Sequence, residues 1–232
     1  MDPHRGRGAG ENPVNRFEAL HVETDEDAWV EEDPRPLRTT FLCDDSQSVL
    51  NKVESEDLRF ELSVNPYRGC EHGCAYCYAR TYHEYLGFSA GLDFESKIVV
   101  KKDAPRLLEA ALARPSYRPA MIAMSGVTDC YQPVERKLEI TRGCLEVMAR
   151  FRQPVGLVTK NALIARDIDH LAELARFNAA CVFISVTTLD PKLSRILEPR
   201  ASSPRARLEA MRKLADAGIP VGPSAAPMIP AI

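Results

Sequence analysis

The stretch Phe60-Glu61-Leu62-Ser63-Val64-Asn65-Pro66-Tyr67-Arg68-Gly69-Cys70-Glu71-His72-Gly73-Cys74-Ala75-Tyr76-Cys77 decides how the chain is read. Phe60 to Val64 is short and β-prone, and the turn residues Asn65-Pro66 end it. A Cys-x3-Cys-x2-Cys loop follows at once. In parallel α/β folds functional groups gather on the loops after strand ends, so the loop stands where an active site belongs. Gly73 lets it turn sharply enough for three sulfurs to converge. Three closely spaced thiolates suit a zinc ion or an iron–sulfur cluster. Structural zinc wants a fourth protein ligand, for which His72 or His83 is available, whereas a four-iron cluster on three cysteines leaves one iron open.

Beyond the loop, short apolar runs recur at Met121 to Met124, Val155 to Val158, Cys181 to Val186 and Ile219 to Val221. Continuous runs of this kind fit strands buried on both faces of a parallel sheet. Helical spacing fills the gaps. One set begins near Asp103 and carries Leu107, Leu108, Ala111 and Leu112. The others are Ile140, Cys144, Val147, Met148 and Phe151; then Ile164, Ile168, Leu171 and Ala175; then Leu208, Met211, Leu214 and Ala215. Asn161 and Ser203 are placed as N-caps, Pro204 as a first helical residue and Gly218 as a terminating glycine. The alternation predicts an α/β protein with right-handed crossovers forming a parallel sheet or barrel. Five strands do not close an eight-stranded barrel, and the sequence stops after an apolar strand, so a truncated barrel is expected.

Composition sets outer limits. The 232 residues carry 30 Lys and Arg against 33 Asp and Glu, are 45% hydrophobic and 27% charged, and exclude a collagen-like or wholly disordered chain. The longest apolar stretch, Ala179 to Val186, is far short of the ~20 residues of a membrane span. Met1 to Gly10 has no apolar signal-peptide core. A cytosolic protein, reduced thiols and no membrane contact are the expectation. Residues 1–60 balance at -8 and the remainder at +5, and seven of the eleven residues from Glu23 to Asp33 are carboxylates. Residues 1–58 are accordingly read as an acidic, partly disordered arm and 59–232 as the core domain. Of the seven cysteines, Cys144 and Cys181 sit in apolar patterns as core residues, and Cys43 has no partner at ligand spacing.

The cysteine loop, with Tyr76 before its last cysteine, resembles the cluster motif of the radical S-adenosylmethionine (SAM) enzymes. The wider stretch from Asn65 through Cys77-Tyr78-Ala79-Arg80 is similar to the spore photoproduct lyase-like branch. So are Ser125-Gly126-Val127-Thr128-Asp129, Thr159-Lys160, and Ser185 with Thr187-Thr188. Arg5-Gly6-Arg7-Gly8-Ala9 and Asn15-Arg16-Phe17-Glu18 resemble the lead-in of uncharacterised bacterial members. The resemblance implies a partial (β/α)6-type barrel, truncated at its C-terminal side. It implies a [4Fe-4S] cluster on Cys70, Cys74 and Cys77, and S-adenosylmethionine bound beside Tyr76, Thr128, Asp129, Lys160 and Ser185. Asp129 and Thr128 would accept from the cofactor's ammonium, Lys160 would pair with its carboxylate, and Ser185 would bond the same end. An external electron donor and an unknown substrate, a nucleic-acid lesion among the candidates, complete the expectation.

Three consecutive strands each ending in a polar residue is a signal in its own right, although caps and turns also put polar residues there. Arg200 and Arg207 are candidates to meet an anionic substrate, with Arg207 read as a helix-surface charge. Two departures stand out. Cys130 replaces the first proline of the branch's Thr-Asp-Pro-Tyr-Gln-Pro and is read as a substituted turn residue. Gly126 and Val127 stand where photoproduct lyases proper have a cysteine, which argues against thymine-dimer repair. A zinc-binding α/β module without redox chemistry, and a truncated remnant without activity, are the other readings.

Overall fold

The structure is a computed structural model that describes residues 6–18, 37–58 and 60–230. Strands β1 (Thr40–Cys43) and β2 (Leu50–Lys52) precede β3 (Leu62–Val64), which is the strand expected before the cysteines, and β4 (Tyr67–Arg68). After the cysteine loop and a 3-10 helix, Tyr78–Leu86, come α1 (Leu92–Ser96), β5 (Lys97–Val100) and α2 (Ala104–Leu112). Then follow β6 (Ile122–Met124), α3 (Glu135–Leu138), α4 (Ile140–Phe151) and β7 (Val155–Thr159). A 3-10 turn, Ala162–Asp167, leads into α5 (Ile168–Ala175) and β8 (Ala180–Ser185). The chain continues through α6 (Pro191–Leu197), α7 (Pro204–Asp216) and β9 (Val221–Ser224).

The main sheet has the order β2-β3-β6-β7-β8-β9. Its last five strands run parallel, and β2 pairs antiparallel with β3 at the edge. These five are the strands read from the apolar runs, and they form the α/β partial barrel that was expected. A second sheet, β1-β5-β4, stands beside it and had no counterpart in the sequence reading. Its β1, like β2, lies within residues 37–58, whereas the acidic block Glu23 to Asp33 lies outside the described residues.

The expectation of strands buried on both faces holds for β6, whose three residues are all buried, and is corrected for β7 and β8. On one face Val64, Ile122, Met124, Val155, Leu157, Val182 and Ile184 are buried and belong to the single large apolar core. Each full burial of this kind contributes about 1.5–3 kcal/mol. Alternation along the strands turns their neighbours to the other face, where Ser63, Ala123, Gly156 and Cys181 lie in register. One row further along, Val158 and Phe183 are 42% and 43% exposed. Small residues and unburied apolar ones leave this inner face open. Cys181, expected in the core, is therefore only half-buried and on the inner side.

Helix termini follow the sequence. The Asn161 side chain accepts from the amide of Leu163, Ser203 accepts from Ala206, and Gly218 takes φ 75° just past α7. The buried stripe of α7 is Pro204, Arg207, Ala210 and Leu214, and Leu208 is 45% exposed. The apolar spacing had pointed to a stripe through 208, 211, 214 and 215. The buried Arg207 rotates it.

Candidate active site

The cysteine loop is shaped by its backbone before any side chain acts. Gly69 at φ 77° and Gly73 at φ 64° supply the two left-handed turns. A Cβ on Gly73 would sit 2.6 Å from Glu95 Oε2, so the position needs glycine. Cys70 N donates to Phe94 O at 2.9 Å, Gly73 N to Cys70 O at 3.3 Å, and Cys77 N to Cys74 O at 3.2 Å. Cys70 and Cys74 are buried and Cys77 is half-buried.

Burial pushes the Cys70 thiol well up, and the charges of Asp129, Cys74 and Cys77 add to it. Burial likewise pushes Cys74 to about 12, although Lys160 pulls the other way. Cys77 is also raised by burial, against the pull of the Ala79 and Arg80 amides, Arg80 and Lys160. The thiols therefore stay protonated until something strongly cationic stabilises them as thiolates. The Asp129 amide near Cys70, and the Ala79 and Arg80 amides near Cys77, offset part of that rise. Among the described residues, no three His, Cys, Asp or Glu groups are arranged to hold a single metal ion.

The other candidates surround this loop. Asp129, just past β6, accepts from Tyr131 N at 2.9 Å and Thr159 Oγ1 at 2.8 Å through Oδ1. Its Oδ2 accepts from Lys160 N at 2.7 Å and lies 3.3 Å from His72 Nδ1, out of line for a regular hydrogen bond. Burial raises its pKa, but His72 and the donors outweigh that and hold the carboxyl down at about 2. Both oxygens are thus engaged within the chain, tying the ends of β6 and β7 to the loop. Thr128 donates to Tyr67 O at 3.0 Å. Lys160 Nζ lies 5.7 Å from the centre of the Tyr76 ring. Ser185, at the end of β8, is buried, and its carbonyl accepts from Arg207 Nη1 at 2.9 Å.

The structure also joins residues that the sequence kept apart. Tyr76 shares its hydroxyl with Thr187 at 3.0 Å and donates to Glu198, and Glu198 pairs with Arg207, both of them buried. Burial would raise the Glu198 carboxyl, but the Arg207 hydrogen bond and charge lower it. Arg207 is therefore no surface charge. It is the buried counter-ion that fastens α7 to the carboxylate holding Tyr76. Arg200 is likewise taken up by the loop, with N to His72 O at 3.3 Å and its guanidinium 3.5 Å from Glu71. His72 Nε2 meets the Asn161 side chain at 3.2 Å. His83 lies between Phe88 and Phe94, with ring centroids 5.2 and 5.5 Å away, and burial lowers its pKa to about 4. Cys130 is buried in the core, where its carbonyl accepts from Thr141 at 2.7 Å.

Beside the loop, the open inner face forms a cleft of about 730 Å³. Ser63, Ala123 and Gly156 floor it, Tyr78, Tyr82 and Tyr85 wall one side, Lys52 and Arg68 add positive charge, and the buried Lys101 is paired with Asp44 at 3.7 Å. The three tyrosines are 70%, 51% and 66% exposed.

A parallel sheet, a three-cysteine loop after its first parallel strand and a cleft on its open face define a partial-barrel α/β protein. The Radical SAM superfamily model matches residues 64–231, and the chain belongs to that superfamily. Enzymes of this superfamily use a [4Fe-4S] cluster and S-adenosylmethionine. An uncharacterised protein of Mycobacterium tuberculosis (strain ATCC 25618 / H37Rv) is 37% identical over 185 residues, covering 79% of this chain and 54% of that protein. One of Methanocaldococcus jannaschii is 29% identical, covering 72% and 60%. The chain thus spans little more than half the length of these relatives. Among solved structures, spore photoproduct lyase complexed with dinucleoside spore photoproduct aligns with a TM-score of 0.61 at 18% identity, covering 82% of this chain and 52% of that one. A mutant of that lyase with bound AdoMet and dinucleoside spore photoproduct aligns at 0.58 and 19%, covering 81% and 50%. These likenesses establish a shared fold.

Proposed function

We propose that the chain is the catalytic core of a radical SAM enzyme whose [4Fe-4S] cluster is held by Cys70, Cys74 and Cys77. The observation that carries this reading is the set of three buried or half-buried thiols on one loop, beside an open cleft, in a chain of this superfamily. When bound and reduced by an external donor, such a cluster supplies the electron that splits S-adenosylmethionine into methionine and a 5'-deoxyadenosyl radical, which takes hydrogen from a substrate. The chain's own part is positioning and exclusion of water. Lys160, beside Cys74 and Tyr76, pairs with the cofactor's carboxylate, and Ser185 and Thr128 line its polar end. Asp129 acts from behind, fixing His72 and the Lys160 backbone. Tyr76 is held in place by Glu198 and Arg207.

The cleft supports an aromatic, anionic substrate. Exposed tyrosines offer stacking faces, and Lys52 and Arg68 offer positive charge, the pairing that suits a nucleic-acid base with its phosphate. A cytoplasmic location accords with the reduced cysteines, and no described helix is long and apolar enough to cross a membrane.

Anaerobic reconstitution with iron and sulfide tests the reading. A brown protein that releases 5'-deoxyadenosine when reduced with S-adenosylmethionine is expected. A colourless protein holding one zinc overturns it.

A further inference from the structure

The lead-in motifs lie outside the residues matched by the family model, yet they touch the cysteine loop at backbone level. Gly8 is the closest approach. A Cβ there would lie 1.7 Å from Gly73 O and 3.3 Å from Ala75 N, so the contact excludes any side chain. The amides of Gly8 and Ala9 donate to Glu95 Oε2 and Oε1 at 3.0 and 2.9 Å. Glu95 is completely buried, and a buried carboxylate must be paired and hydrogen-bonded. Its ion partner is Arg80, 2.6 Å from Oε1, which also donates to Cys74 O at 3.0 and 3.2 Å.

Arg7 anchors the segment. It donates to Glu95 O at 2.6 Å, Leu37 O at 2.9 Å and Thr39 Oγ1 at 3.2 Å, and the Thr39 hydroxyl in turn donates to Glu71 in the loop at 2.8 Å. Farther on, Leu92 N donates to Glu11 O at 3.2 Å. Asn15 Nδ2 donates to Glu84 O and Phe88 O at 2.9 and 3.1 Å. The far end is thereby fixed on the 3-10 helix that leaves Cys77.

We infer that residues 6–18 are a strap forming the outer wall of the cysteine loop, with Glu95 as a positioning residue clasped between the strap's amides and Arg80. The strap keeps water from Cys70 and Cys74 and holds the shape in which their sulfurs are presented. The inference rests on the proposed function only in taking those thiols as cluster ligands. The wall itself is tested on the metal-free full chain.

Two variants loosen it differently. Gly8→Val drives a side chain into the Gly73 carbonyl, and Arg7→Ala removes the anchor without adding bulk. The reduced protein is alkylated with N-ethylmaleimide and the sites are mapped by mass spectrometry, with exposed Cys43 as the reference and Cys144, buried in the core, as the control for folding. Cys70 and Cys74 are expected to react about tenfold faster relative to Cys43 in either variant, as local opening requires, while Cys144 stays protected. Unchanged rates in both variants overturn the inference, and so does a parallel rise at Cys144 in both, which would make the strap a general stabiliser. In iron-loaded protein, Glu95→Gln is expected to shift the cluster's midpoint potential and shorten its lifetime in air, and no change in either overturns the positioning role. Failure of the unaltered chain to take up iron defeats the cluster reading and leaves the alkylation result standing.

Discussion

Leu157 and Val158 are neighbours on β7, equally apolar, and face opposite worlds. Leu157 is wholly buried against the helical layer, whereas Val158 is 42% exposed at the cleft. The same division runs across β3, β6 and β8. One face holds the large side chains that stabilise the fold. The other is floored by Ser63, Ala123 and Gly156, which contribute little packing and leave room. Tight packing and open space thus lie on opposite sides of one sheet, a single residue apart along the chain.

Predictions can break or sharpen that division. The largest effect belongs to the loop: Cys74→Ala should abolish the visible chromophore and 5'-deoxyadenosine release, with the unfolding midpoint of metal-free protein nearly unmoved. A chromophore surviving at full intensity would remove Cys74 from the site. Next, Leu157→Ala should cost about 3 kcal/mol in urea unfolding, as a truncated core leucine does. Its folded fraction should still take up iron.

A smaller effect comes from His83. Its folded pKa of about 4 lies below its ordinary 6.5, so the unfolded chain takes up the proton first. The stabilisation is complete above pH 6.5 and is lost as pH falls from there to 4, by about 2–3 kcal/mol. Urea midpoints across that window should flatten in His83→Phe. The least effect is expected at Val158→Ser, within about 0.5 kcal/mol of the parent by the same assay. A cost like that of Leu157→Ala would show that the inner face is packed after all.

Much of this arrangement can be read from the chain. The five parallel strands announce themselves as apolar runs, Ser203 and Gly218 mark the ends of α7, and the spacing of Cys70, Cys74 and Cys77 marks the loop. Other features resist for physical reasons. Val158 and Phe183 are as hydrophobic as their buried neighbours, because the open face is a property of sheet curvature and not of composition. Arg207 looks like any helical arginine, since the groups that bury it are Glu198 and the carbonyls of Ser185 and Ser202, brought together only by the fold. Glu95, in Asp-Phe-Glu-Ser, reads as a surface carboxylate, and its partners Gly8 and Ala9 stand 87 and 86 residues away. Two clues were local. Glycines at 8 and 73 hint at close backbone approach, and Arg80, three residues past Cys77, hints at a cation near the sulfurs.

The Gly8 contact bears on anyone who would borrow this scaffold. A chimera cut at residue 64, where the family model begins to match, would inherit the cysteine loop but strand Glu95 without two of its donors. The sensible unit of exchange carries its own leading peptide, because the edge of the family model and the edge of mechanical support fall in different places.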